Sequence, residues 1–451
     1  MSKSCPSISD MRSWLPTESF EKSTAHSLAY FGRDALGFSV GVAIIVAVCE
    51  SDWFHVLPSS VQAAALLPLQ IVTGFFMWCL FVVGHDCGHT TFSQHELINE
   101  VFGEICHSVC LCTPFAPWRR THHRHHLYHN HATKDYSSPW VPLLLKSSIA
   151  ARAWNQLAAA ASALLTTAAT TTAKDGTASL VCIALAAAAV AVIATANDDA
   201  SPPSGAAAIA PTALAIVLFA GTRFAGPTAV AVLCVLLQRK YLWQTWHYIL
   251  RPIAPLYTWP FYLFAGIPDG GHLLLFGRAW GDASATALAR GYLSAALTVA
   301  SMYSWHLALG GCLVHAYCMP WLWYGWWLFT VTYLQHHHAD VALYDASSWG
   351  YVRGAFQTMD RTFGCGIDAL HHNITDGHVV HHLFFTQIPH FRLSAATTAL
   401  RDALERRGYN GLYKHTHTPR FAMGIFAALT SKWFFVEDRH FVSRGAMERS
   451  E

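Results

Sequence analysis

Apolar and polar residues fall in long blocks along the chain, and the blocks predict membrane helices. Residues 1–36 are polar and mixed in charge and read as a cytosolic tail with a short amphipathic part. Residues 37–84 read as a first helical hairpin. Its first arm, Gly37–Cys49, is closed by Glu50 and Asp52 and spans a bilayer only with help from Leu28–Phe31. Its second arm, Ala63–Gly84, offers about 22 residues without a charge, near the ~20 that a crossing needs. Asp52–Ser60 is the expected turn, which returns the chain to its starting side. Residues 85–145 then stay at that surface. Within them, 101–118 is apolar but interrupted by Glu104, His107, Pro114 and Pro117, and reads as interfacial or re-entrant.

Residues 146–288 comprise an Ala- and Thr-rich insertion (146–240) and an aromatic, proline-containing interfacial stretch (241–288). Any crossings in the insertion must be even in number if later residues are to share a face with earlier ones. Its segment NDDASPPSG at 197–205 is a loop by composition. Residues 289–335 read as a second hairpin, with arms Ala289–Gly310 and Cys312–Leu334. The run WLWYGWW at 321–327 is expected to form an aromatic belt at the membrane surface. Residues 336–451 turn polar and are expected in the cytosol. The predicted fold class is therefore all-α integral membrane: a four-helix transmembrane domain made of two hairpins, carrying a cytosolic cap.

Composition supports a membrane protein: 53% of the 451 residues are hydrophobic and 12% charged, about half the charged share of a soluble domain. A net charge of +2 gives no general attraction to nucleic acid. The 12 cysteines include no CxxC pair, which argues against a zinc knuckle and for a reducing, cytosol-facing environment. The N-terminus lacks the basic-then-apolar order of a cleavable signal, and Asp10, Glu18, Glu21 and Asp34 interrupt any transit-peptide pattern.

Histidine changes the picture. There are 28, almost as many as the 29 lysines and arginines together. HHRHH at 122–126 and HVVHH at 378–382 share one skeleton: a histidine, two residues, then two adjacent histidines. On a helix, i, i+3 and i+4 lie on one face, so His122, His125 and His126 present their imidazoles together, as do His378, His381 and His382. HDCGH at 85–89 adds His85 and His89 at i and i+4, and His336 follows the last apolar segment. Nine imidazoles exceed the capacity of one ion and suit two, since neutral imidazole is a favoured metal ligand. The clusters sit just outside the apolar segments, so a substrate drawn from lipid reaches them along an apolar path. Zinc could occupy such ligands but only polarises bonds or activates water; iron adds the one-electron and O₂ chemistry that an unactivated methylene requires.

Asp86, Asn130, Asp135, Asp345, Asp360, Asn373 and Asp376 are available to orient the rings. His123, His129, His131, His337, His338, His371, His372 and His390 read as further supporting or surface residues, with His338 the readiest to become a ligand. Arg119, Arg120 and Arg124 beside the second cluster agree with a cytosolic placement and read as interfacial anchors.

Four stretches carry a family resemblance: HDCGHTTFS at 85–93, WRRTHHRHHLYHNHATKDYSSPWVP at 118–142, TYLQHHHADVALYDASSWGYVRGAFQTMDRTFG at 332–364 and HNITDGHVVHHLFFTQIPH at 372–390. With the N-terminal SISDMRSWLPTESFEKSTAHSLAYFGRDAL, the chain resembles the membrane fatty acid desaturases, in particular the group forming omega-6 (delta-12) and omega-3 (delta-15) bonds in acyl lipids. The resemblance covers roughly 7–145 and 240–440; the Ala-rich 146–240 is longer than the family's usual spacer. It implies a cytosolic di-iron cap held by His85, His89, His122, His125, His126, His336, His378, His381 and His382. It also implies O₂ as co-substrate, a cytochrome b5 and its reductase as separate electron donors, and a multi-pass endoplasmic reticulum membrane location. HDCGH, His337 and the run Gln387-Ile388-Pro389-His390 look more like omega-3 enzymes, and HNITD more like omega-6 enzymes.

Within the same fold, a hydroxylase, acetylenase or conjugase starts with the same hydrogen abstraction. A metal transporter would place its ligands near the bilayer midplane, not beside the crossings. A zinc hydrolase would want an HExxH-like base where 85–89 has Asp86.

Overall fold

The architecture is set by four apolar helical segments whose inner ends meet a smaller polar layer. The computed structural model describes residues 5–131, 134–135, 263, 272, 275, 280–336, 341–417, 434–437 and 440–443. The Ala-rich insertion and His337–His338 lie outside the described residues, which all belong to one compact unit.

Helix α1 (Thr24–Cys49) opens on Ser23, whose hydroxyl accepts from the His26 amide. It begins well before the apolar arm that hydropathy outlined at Gly37. After a short turn, α2 (Ser59–Gly88) starts behind Pro58 and carries its apolar register past Gly84, so His85 stands on the last helical turn and His89 caps it. Both α1 and α2 are long and apolar enough to cross a membrane. Downstream, α5 (Ala285–Leu309) and α6 (Met319–His336), joined through a tight 3-10 turn and a π-helical stretch, meet the same test only as a sharply bent pair. Between these two pairs of helices come α3 (Glu96–Glu104), a π-helical turn at Ile105–Cys110 and α4 (Phe115–Leu127).

Outward faces are apolar. Leu36, Val40 and Ile44 lie exposed on α1 at four-residue spacing, as do Val299, Tyr303 and Leu307 on α5. Soluble proteins seldom present such continuous apolar stripes, whereas lipid covers them without cost. Inner faces are tight. A Cβ on Gly74 would meet the Pro320 carbonyl and Trp323, so α2 and α6 approach at a distance only glycine permits. The interrupted stretch after α3 is buried: Cys106, His107, Leu111 and Phe115 are wholly covered, and His107 Nε2 donates to the Phe81 carbonyl at 3.1 Å.

Aromatics of 321–327 that composition assigned to a surface belt partly turn inward. Tyr324 and Trp327 are buried, and Trp321 donates to the Leu111 carbonyl at 2.8 Å. The buried re-entrant stretch offers carbonyls that lipid could not satisfy, which draws the indole in.

The polar layer wraps the end of α6. A helix C-terminus leaves carbonyls without partners; here Arg361 Nε donates to the Leu334 carbonyl at 2.9 Å and the Met359 amide to that of Gln335 at 2.8 Å. The guanidinium also meets the negative end of the helix dipole. Strand β1 (Asp360–Thr362) pairs in parallel with β2 (His415–His417), followed by an antiparallel hairpin of β3 (Phe434–Glu437) and β4 (His440–Ser443). Helix α7 (His378–Phe384), entirely buried, and α8 (Leu393–Arg406) complete the layer.

Candidate metal centre

Helix α4 delivers the second histidine cluster as its spacing requires. His122, His125 and His126 share its inner side, and His122 Nε2 lies 3.0 Å from His126 Nε2. Across from it, α7 presents His381, whose Nε2 is 3.2 Å from that of His126. The end of α2 closes the group: His85 and His89 rings sit 4.5 Å apart, with His85 4.8 Å from His122 and His89 4.5 Å from His126. His85, His89, His122, His126 and His381 therefore each offer a nitrogen within 4.8 Å of the others, a spacing that can hold one metal ion.

A second group abuts the first, bridged by the 4.2 Å contact of the His126 and His382 rings. It consists of His125, His129, His336 and His382, again with nitrogens within 4.8 Å of one another. His378 borders it, Nε2 to Nε2, at 3.3 Å from His336. Chain segments from four places in the sequence thus bring all nine candidate histidines together. His129, read from the sequence as a supporting residue, stands inside the second group. Its spacing of four residues from His125 was the available signal. His338 lies outside the described residues.

The donors fit metal ions. Buried imidazoles ordinarily find hydrogen-bond partners, yet both ring nitrogens of His89 and His382, and Nδ1 of His85 and His126, have none. Burial pushes His89, His122, His126, His381 and His382 well below the ordinary imidazole range and His378 down to about 3. At neutral pH these rings are uncharged, the form that ligates.

Partners fix several ring orientations. His378 Nδ1 donates to the Ile374 carbonyl at 2.8 Å, which turns Nε2 inward. His125 Nδ1 donates to Asp135 Oδ1 at 2.8 Å, and the other oxygen of that carboxylate accepts from the Asn130 amide. Asp86 Oδ2 accepts from both the amide and Nδ1 of His390, at 3.0 and 2.7 Å, tying the 387–390 run to the first cluster. Asp360, buried beneath α7, accepts from the Val379 amide at 2.8 Å, and burial raises its carboxyl to about 7. Asp345, Asn373 and Asp376 serve their own turns instead. Asn130 spans to the Ala342 carbonyl. Removing an orienting partner typically loosens a metal 10–100-fold. Asp135→Asn should weaken metal binding at the second group by about that much while sparing the first, as a competition titration with a chelator would measure.

The arginines of α4 pair with carboxylates: Arg119 with Glu100, Arg120 and Arg124 with Asp282. A cavity of about 40 Å³ is lined by His85, His122, His125, His336 and His378 together with aromatic and aliphatic side chains, among them Trp78, Phe81, Val82, Leu328 and Val331. Phe385 stacks on His126 at 4.7 Å and Trp118 on His122 at 4.6 Å, covering the first group with apolar rings.

The chain is similar to known fatty acid desaturases. The profile of the fatty acid desaturase family matches residues 62–263. A delta(12) fatty acid desaturase of Caenorhabditis elegans is 28% identical over 435 residues, covering 91% of this chain and 86% of the relative. An omega-3 fatty acid desaturase of the same organism is 26% identical over 431 residues, covering 92% and 79%. An Arabidopsis thaliana protein, named an acyl-lipid omega-3 desaturase (cytochrome b5) of the endoplasmic reticulum, is 27% identical over 405 residues, covering 88% and 77%.

Proposed function

We propose that the chain is a member of the fatty acid desaturase family, as its match to that family's profile and its likeness to desaturases over most of its length support, and that its two histidine groups hold two iron ions against the tail of a membrane lipid. It is an O₂-dependent fatty acid desaturase. The nine histidines that would hold the metal pair are His85, His89, His122, His125, His126, His336, His378, His381 and His382. Iron, once bound, supplies the one-electron and O₂ chemistry needed to break an unactivated C–H bond. The overall reaction removes one hydrogen from each of two adjacent methylenes, leaving a cis double bond. O₂ is reduced to two waters by those hydrogens together with two electrons and two protons from a donor.

The protein's own residues bind, orient and exclude water. The observation that carries this reading is a cavity lined both by candidate ligand imidazoles and by aromatic and aliphatic side chains. An acyl chain entering from the membrane side places methylenes, not a polar head, beside the metal ligands. Val82, Leu328 and Val331 supply apolar contact along it. Fixing the chain against the ligands converts an encounter into a positioned, unimolecular step. Phe385 and Trp118, stacked on ligand rings, keep bulk water away.

The four apolar segments α1, α2, α5 and α6 are read as four crossings, in two hairpins, with the histidine layer on the cytosolic face of the endoplasmic reticulum. A cytochrome b5 and its reductase, acting as separate proteins, are the proposed electron source, as the name of the Arabidopsis relative suggests for that protein. The double bond is placed at the omega-6 or omega-3 position of an acyl lipid. Expression in a host fed oleate or linoleate tests the reading by gas chromatography. A new cis double bond in either acid is expected; hydroxylated acid as the sole product would overturn it in favour of a hydroxylase.

A further inference from the structure

We propose that His129 is a direct ligand of the second metal, a tenth histidine beyond the nine that the family resemblance assigns. The inference rests on the two-metal reading above. The second group without His129 comprises His125, His336, His378 and His382, one imidazole short of the first group of five. His129 supplies the missing one. It is 1% exposed, its ring lies 4.2 Å from His382, 4.6 Å from His336 and 4.9 Å from His125, and it offers a nitrogen within 4.8 Å of theirs.

Local structure explains how it gets there. Along α4 the pair His122 and His126, four residues apart, serves the first group. The pair His125 and His129, with the same spacing one turn over, serves the second. His129 lies just beyond the helix cap at Tyr128, and the chain there is held from several sides. Trp349 Nε1 donates to the His129 carbonyl at 2.9 Å, and the Tyr344 amide donates to that of Asn130 at 3.0 Å. Gly354 packs against the His129 carbonyl so closely that a Cβ would not fit. Asn130 adopts a left-handed φ of 53°, a turn directly after His129. Thr358 and Asp135 border the ring's two nitrogens: the hydroxyl meets Nε2 at 3.0 Å, and Asp135 Oδ2 stands 3.7 Å from Nδ1. A backbone this constrained positions a ring as a ligand requires.

Metal binding by purified full-length protein decides the matter. Wild type, loaded with ⁵⁷Fe and dialysed, should keep about two irons per chain, seen as two Mössbauer doublets. His129→Gln should keep the first doublet unchanged and lose the second iron, its affinity falling by more than the about 100-fold that loss of an orienting partner costs. Thr358→Val, which removes only the hydroxyl, should keep both. In His129→Gly, added ¹⁵N-imidazole should restore the second iron and show the magnetic coupling of a directly bound ¹⁵N nucleus in the mixed-valence state. A His129→Gln protein that holds two irons with both doublets unaltered overturns this inference and leaves the proposed function standing. Wild type without a second iron overturns both.

Discussion

His126→Ala should abolish desaturation and release the metal that the histidine groups are proposed to hold. This ring is the hub of the clustered histidines: it lies 4.6 Å from His122, 4.6 Å from His381 and 4.2 Å from His382. It therefore borders both histidine groups, and its loss opens the wall between them. The expected drop in product exceeds the about 100-fold that loss of an orienting partner typically brings, with iron per chain falling in parallel. Because removing a buried imidazole also leaves a cavity, a monodisperse size-exclusion profile must accompany the assay. A well-folded variant with more than a tenth of wild-type turnover would argue against a metal role for this residue.

Val331→Phe should stop the reaction while leaving the metals in place. Val331 is buried and lines the small cavity together with His85, His122, His125, His336 and His378. A phenyl ring in place of the isopropyl group takes up most of its roughly 40 Å³. Small misplacements of reacting atoms can cost about 100-fold in rate, and exclusion of the chain costs at least that. Iron content should match wild type, which separates a blocked channel from a broken centre. Val331→Ala should retain turnover. Full activity in the Phe variant would place the acyl chain elsewhere.

Much of the centre was legible in the sequence because its main signal is periodic. His122, His125 and His126, like His378, His381 and His382, lie on one helical face whatever the tertiary fold. Long-range placement was less legible. His129 has the same spacing from His125, but it follows the helix cap, so periodicity alone could not say where its ring points. Asp135 and Asp86 were visible as available carboxylates among several. Only the folded chain shows that Asp135 takes His125 and Asp86 takes His390, while Asp345 and Asp376 turn back on their own loops. Hydropathy found the apolar arms but not their ends. It stopped at Gly84 because HDCGH is polar, although the helix runs on to Gly88 and carries His85 with it. The aromatic run at 321–327 misled for a related reason. Composition cannot distinguish an indole facing lipid headgroups from one answering a buried carbonyl.

Distant imidazoles that converge on two irons should show first in metal analysis of the purified full-length protein. About two irons per chain in nitrogen-rich surroundings are expected; a single tightly held zinc, with no iron, would overturn the two-iron reading.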